Sequence, residues 1–234
     1  MEPILRVTDL SKSFSRAGKN EFYAVDHVSF EVMPGEILGI VGESGSGKST
    51  IARLITRQID VTTGTIEIDG QDITKLTWRQ MIPVYSKIQM VFQTPTGSFD
   101  PRRTLGDGIC ESLRNKGVSK AEREAKARSL LEQCGLPGEF LERYPHQVSG
   151  GQCQRAAIAR ALMCDPQILI FDEATSSLDV TVQKQIIELL QNLQKEKHLA
   201  YIFICHNLAL IQQFPTRRSS DLSSWEDRRV RASR

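Results

Sequence analysis

Eight consecutive residues, Gly42-Glu43-Ser44-Gly45-Ser46-Gly47-Lys48-Ser49, hold the densest chemistry in the chain. Glycines at Gly42, Gly45 and Gly47 let successive backbone N–H groups turn toward one anion, and a helix starting at the end of the run adds positive potential there. Lys48 supplies a cation for the outer phosphates of a nucleoside triphosphate, and the Ser49 hydroxyl offers a hard oxygen to Mg2+, with Thr50 beside it. A second centre is Asp172-Glu173, which closes the apolar run Ile168-Leu169-Ile170-Phe171. An acid at a strand end beside a phosphate loop can hold the metal, and its neighbour can polarise an attacking water. Alone, such an acidic pair reads as a solvated loop start or a helix cap. The glycine loop upstream gives it its chemical reading.

These groups can act together only if the backbone brings them together. Val28, Phe30 and Val32 alternate with polar partners as in a strand that stops at Pro34-Gly35. A β-rich run over 36–41 then enters the glycine loop, and a helix over 49–58 leaves it with Ile51, Leu54 and Ile55 on one side. Ile66 and Ile68 mark another strand, ended by Asp69-Gly70, and 88–92 a fourth apolar run. Between 103 and 144 the chain becomes charged and almost free of β-branched residues, and a helix over 119–134 is expected to bury Ala125, Leu130 and Leu131. A helix over 151–163, the strand 168–172, a helix over 181–197 and the strand 200–205 follow. Strands alternating with helices imply an α/β fold, with a mostly parallel sheet covered on both faces and interrupted by a helical insert.

Composition excludes several classes. The chain has 234 residues, 40% hydrophobic and 25% charged, enough to bury a core without covalent staples. The longest apolar runs fall far short of the roughly 18 residues that span a bilayer. No basic stretch followed by an apolar core opens the sequence, so residence in the cytosol is expected. The five cysteines are scattered and never form C-x-x-C, which indicates neither a disulfide framework nor a zinc site. A net charge of +2 gives no support to a nucleic-acid-binding surface. His27, His146 and His198 match no motif and read as structural or solvated.

Val148-Ser149-Gly150-Gly151-Gln152, at a helix start, resembles the signature of ATP-binding-cassette (ABC) ATPases, usually Leu-Ser-Gly-Gly-Gln, with Val148 in place of the leucine. Further elements of that family appear in order. Gln93 resembles the Q-loop glutamine, Ser177-Leu178-Asp179 the D-loop, and His206 the H-loop histidine. For the aromatic that stacks on adenine, Phe14 is favoured over Tyr23. Taken singly, Gln93 would be a surface amide, Asp179 a helix cap and Phe14 a core residue. The resemblance, which covers residues 14–206, implies a P-loop NTPase core with an N-terminal antiparallel β part and a helical subdomain inserted at about 94–147. It implies a Mg2+-dependent ATPase in which Gly42, Ser44, Gly45, Gly47, Lys48, Ser49 and Thr50 cradle ATP. Ser49, Gln93 and Asp172 would hold the metal, while Glu173, His206, Gln93 and Lys48 carry catalysis. Ser149, Gly150, Gly151 and Gln152 would meet the ATP of a second ATPase subunit in a head-to-tail dimer, and Asp179 would be a further nucleotide-binding residue.

Within the family, 88–93 followed by Ser98-Phe99-Asp100-Pro101-Arg102, and Tyr144-Pro145-His146 before the signature, resemble the importer branch that serves oligopeptides, dipeptides and nickel. That branch implies transmembrane permease partners, a solute-binding protein acting indirectly, and a peripheral place on the cytoplasmic face of the inner membrane. Cys205-His206-Asn207 departs from the commoner Thr-His-Asp. The alternatives are a soluble, non-transport ABC ATPase and an inactive truncated fragment. The stretch from Pro215 to Leu222 resembles the translation of a widely used sequencing adapter. The expectation is therefore a cassette over 1–214 with a truncated C-terminus and a non-native tail over 215–234. That tail should form no strand and should leave a sheet edge exposed.

Overall fold

Residues 2–15, 22–43, 45–92, 96–174, 178–206, 214 and 217–221 are described by the computed structural model, the last group by its backbone path. Strands β1 (Leu5–Phe14) and β2 (Phe22–Val32) pair antiparallel, with Leu5 opposite Val32 and Phe14 opposite Phe22. After β3 (Ile37–Val41) and α1 (Lys48–Ile55), strands β4 (Thr63–Ile68) and β5 (Gln71–Asp72) extend this sheet in the order β2-β1-β4-β5. Helix α2 (Trp78–Lys87) then leads into β6 (Ile88–Val91). Four short or medium helices follow: α3 (Leu105–Ile109), α4 (Glu111–Asn115), α5 (Lys120–Gln133) and α6 (Gly150–Leu162). The chain then runs through β7 (Ile168–Asp172), α7 (Val180–Lys197) and β8 (Ala200–Cys205) to β9 (Arg217–Asp221). The second sheet, ordered β6-β7-β8-β3-β9, is parallel throughout.

The inner strands β3, β7 and β8 are buried on both faces, so they are apolar at nearly every position, and alternate residues feed two cores. Leu38, Ile40, Ile168, Ile170, Ile202 and Ile204 join α1 and the antiparallel sheet. Leu169, Phe171, Tyr201 and Phe203 face the other way, toward α6, α7 and the helices before them. There Phe171 and Phe203 stack at 4.6 Å, Phe214 lies 4.9 Å from Phe203, and the buried Tyr201 hydroxyl donates to Leu190 O at 3.0 Å. Among the described residues no helix is long and apolar enough to cross a membrane.

Two expectations are corrected. On α5 the inward residues are Ala127, Leu130 and Leu131, whereas Ala125 is exposed. Ala127 stands three and four residues before the leucines, one helical turn, while five residues separate Ala125 from Leu130 and carry it off that face. The stretch 217–221 was expected to form no strand, yet it lies parallel to β3 with Ile37 opposite Arg217 and Val41 opposite Asp221. Backbone pairing is indifferent to side-chain alternation, and the edge of β3 offers a row of N–H and C=O groups that any extended segment can satisfy. The family resemblance also implies a helix after the histidine, over 207–214, and this stretch lies outside the described residues except for Phe214.

Candidate functional site

Parallel pairing of adjacent strands gathers the site. Val41 stands opposite Cys205, and Asp172 opposite Ile204, so the ends of β3, β7 and β8 open on the same side of the sheet. The glycine loop turns there from β3 into α1. Gly45 and Gly47 adopt φ of 85° and 88°, which suits glycine. A Cβ on Gly47 would also lie 2.0 Å from Ala24 O. The loop is thus pressed against β2, a buttress that no motif announces.

Lys48 is buried, and its ammonium donates to Gly42 O at 2.7 Å and Glu43 O at 2.6 Å, closing the loop over its own side chain. Burial lowers its pKa, while the nearby Glu173, Cys205 and Asp172 act in the opposite direction. The Ser49 hydroxyl donates to Asp172 Oδ1 at 2.9 Å and so ties α1 to the end of β7. Burial raises the Asp172 pKa, the Ser49 hydrogen bond opposes this, and the charge of Glu173 adds to the rise. Glu173, at φ 50°, donates its N–H to Ile204 O at 2.9 Å, and its carboxylate pairs with His206 Nε2. His206 Nδ1 lies 3.1 Å from Gly42 O and 3.4 Å from Lys48 Nζ. Nε2 of the ring thus faces the Glu173 carboxylate while Nδ1 lies beside Gly42 O and Lys48 Nζ, so acid, histidine and lysine stand in one row.

Ser49 Oγ and Asp172 Oδ1 are hard oxygens within hydrogen-bond distance of each other, on a carboxylate that burial disfavours in its charged form. This pair fits a magnesium ion, which prefers oxygen ligands and would offset the buried charge. Among the described residues no group of three or more His, Cys, Asp and Glu gathers for a metal.

The other sequence candidates divide. Gly42, Gly45, Gly47 and Thr50 stand in the loop and at the start of α1, while Ser44, Gln93 and Ser177 lie outside the described residues. Ser149 caps α6: its hydroxyl accepts from Gln152 N at 3.3 Å, and Gln152 Oε1 accepts from Ser149 N at 2.9 Å. Ser149 and Gly150 are exposed, and a Cβ on Gly151 would lie 2.5 Å from Val182 Cγ1, which fixes this helix start against α7. Among the described residues no hydrogen bond or ion pair links Ser149–Gln152 to the phosphate loop. Asp179 caps α7, accepting from Val182 N at 2.9 Å. Phe14 ends β1 at 44% exposure with Lys12 Nζ 5.1 Å from its ring, and Tyr23 stands across the hairpin at 46%. Phe22, opposite Phe14 and 62% exposed, is an aromatic at the same hairpin end that sequence reasoning passed over.

The remaining histidines are structural or solvated: His27 pairs with Asp9, His146 stacks on Tyr144, and His198 ends α7 in a left-handed conformation.

The profile of the ABC transporter family matches residues 25–176. The chain belongs to this family. The glutathione import ATP-binding protein GsiA of Salmonella paratyphi A is 45% identical over 223 residues, a match that takes in 92% of this chain and 36% of that protein. The oligopeptide transport ATP-binding protein OppF of Streptococcus mutans is 42% identical over 216 residues, with 92% and 70% covered. This ABC chain therefore spans about a third of the first relative and more than two thirds of the second. Among solved structures, the ATP-binding cassette MJ0796, dimeric in a post-hydrolysis state and bound to ADP and Pi, superposes with a TM-score of 0.79. It is 30% identical, and the match covers 88% of this chain and 89% of that one. CbiO1 of Clostridium perfringens, part of the ABC transporter complex cbiONQ, superposes with a TM-score of 0.80 at 26% identity, covering 91% of this chain and 82% of its own.

Proposed function

We propose that this ABC protein hydrolyses ATP to ADP and phosphate and that the reaction powers import of a peptide-like or nickel-type solute. The observation that carries the ATPase reading is the linked set Lys48, Ser49, Asp172, Glu173 and His206 at the converging ends of β3, β7 and β8. The glycine loop binds the phosphate chain through its backbone, and Lys48 exchanges the carbonyls of Gly42 and Glu43 for phosphate oxygens. Magnesium, held by Ser49 and Asp172 with Gln93 as a further ligand, would supply charge neutralisation at the phosphates. Glu173 orients the attacking water, and His206, already hydrogen-bonded to Glu173, keeps that carboxylate in place and reaches toward the γ-phosphate. Ser149, Gly150, Gly151 and Gln152 serve the ATP of a second subunit, as does Asp179, while Phe14 stacks on the adenine.

The import half of the proposal rests on the names of the relatives, which describe glutathione and oligopeptide import. In this reading the protein lies on the cytoplasmic face of the inner membrane, docks on transmembrane permeases and is served indirectly by a solute-binding protein. Glu173→Gln tests the catalytic assignment. Phosphate release should fall by roughly two orders of magnitude or more while ATP binding stays within about twofold of the parent. Release near the parental rate would remove Glu173 from its role.

A further inference from the structure

A second concave site lies at the opposite end of the parallel sheet. Strands β7 and β8 run toward the nucleotide site, so their first residues, Ile168 and Ala200, mark the far end. There the segments that enter these strands meet the residues before β1 and those after β4 around a cavity of about 460 Å3. Backbone pairs fix its walls: Asp69 N donates to Ile4 O at 2.9 Å, Gln167 N to Lys87 O at 2.8 Å, and Ala200 N to Gln167 O at 2.9 Å. Ile4, Leu162, Pro166 and Leu199 are buried and make part of the lining apolar. The five residues of β7, roughly 16 Å of strand, stand between this cavity and the end that holds Asp172.

The charged groups of the lining fall into two kinds. Asp69 pairs with Lys87 and Asp165 with Lys126, so these two acids already have their cations. Glu2 and Lys197, the last residue of α7, are exposed and line the same cavity, yet among the described residues neither makes an ion pair or a hydrogen bond. They do not pair with each other either, so a gap separates the two charges. One unpaired acid and one unpaired cation beside an apolar surface fit a small molecule that carries both charges and an apolar middle. A ligand with a single charge would meet one of them favourably and the other unfavourably. We propose that this cavity binds a zwitterion, either a free amino acid or a short peptide with apolar side chains, its ammonium toward Glu2 and its carboxylate toward Lys197. The volume lies within the roughly 300–1,000 Å3 of small-molecule sites. Binding here requires nothing of ATP hydrolysis and stands or falls apart from it.

Calorimetric titration of the full chain at pH 7 tests this, with leucine, leucyl-leucine, N-acetyl-leucyl-leucine, which lacks the ammonium, and leucyl-leucinamide, which lacks the carboxylate. The parent should bind leucine or leucyl-leucine saturably, the tighter of the two showing whether the site takes the amino acid or the peptide. Each capped dipeptide should bind about fivefold more weakly than leucyl-leucine, the factor that one exposed ion pair contributes. Lys197→Met should abolish the preference for the free carboxylate and keep that for the free ammonium, and Glu2→Gln should do the reverse. Both side chains are exposed, so the Tm of either variant should stay within about a degree of the parent. Saturating ATP analogue with Mg2+ should leave the affinity within about twofold. No saturable binding of leucine or leucyl-leucine would overturn the proposal, as would capped dipeptides that bind as well as the free one. Variants that keep both preferences would also overturn it, and so would competition by the ATP analogue, which would place the peptide in the nucleotide site.

Discussion

Asp172 is held above its ordinary carboxylate range by burial at the end of β7, with the Ser49 hydroxyl pulling it down and Glu173 pushing it further up. In the unfolded chain the same carboxyl titrates near about 3.9. A folded pKa above the unfolded one means that the ionised group opposes folding. The penalty is absent below the unfolded value and complete above the folded one. Asp172→Asn removes the charge yet keeps an oxygen for the Ser49 hydroxyl. Thermal unfolding without nucleotide should therefore show its Tm a few degrees higher at pH 7, with the gain fading as pH falls toward about 4 and absent below it. ATP turnover should fall at the same time, because the metal loses its carboxylate. An Asp172→Asn protein that is less stable at neutral pH would contradict this account. At this scale Lys48, Ser49, Asp172 and Glu173 were legible from residue type and spacing. The link through His206 was not, because residues 48, 173 and 206 meet only through the order of strands in the sheet.

Among the elements, periodicity placed α1, α5, α6, α7 and the parallel strands β3, β6, β7 and β8, which carry apolar runs, but not β9, which carries none. It passed over α2, where Pro83 argues against a helix. There a Thr77–Gln80 capping box and the burial of Met81 and Val84 outweigh the proline. The helical stretch after β6 adds a charged, strand-free layer that the site itself does not require. In the transport reading this layer meets the permeases, so cross-links from residues 102–142 should reach membrane subunits when the partners are expressed together. Cross-links confined to the antiparallel sheet, or none to any membrane protein, would favour a non-transport ATPase.

For the molecule as a whole, the exposed start of α6 is the feature that a single chain leaves unused. Ser149 and Gly150 face solvent, and among the described residues no hydrogen bond joins them to the phosphate loop, although the sequence marks them for a phosphate. A head-to-tail pair of chains resolves this by bringing the helix start of one subunit to the ATP of the other. Sequence pattern could name these residues but could not show that they stand apart from Lys48, since only the fold fixes the separation. Testing the pair requires a change that spares the cap, because Ser149→Ala would weaken α6 by about 1 kcal/mol and blur the result. Ser149→Asp caps as well as serine does and suits the helix dipole, yet it turns a carboxylate toward the expected γ-phosphate. Combined with Glu173→Gln, which should hold ATP unhydrolysed, it should leave Tm and monomer ATP affinity close to parental. Sedimentation with ATP should then show a dimer for Glu173→Gln alone and a monomer for the double variant, because two like charges meet where the subunits close. A double variant that dimerises at the same ATP concentration as Glu173→Gln would mean that the start of α6 does not face the partner's nucleotide.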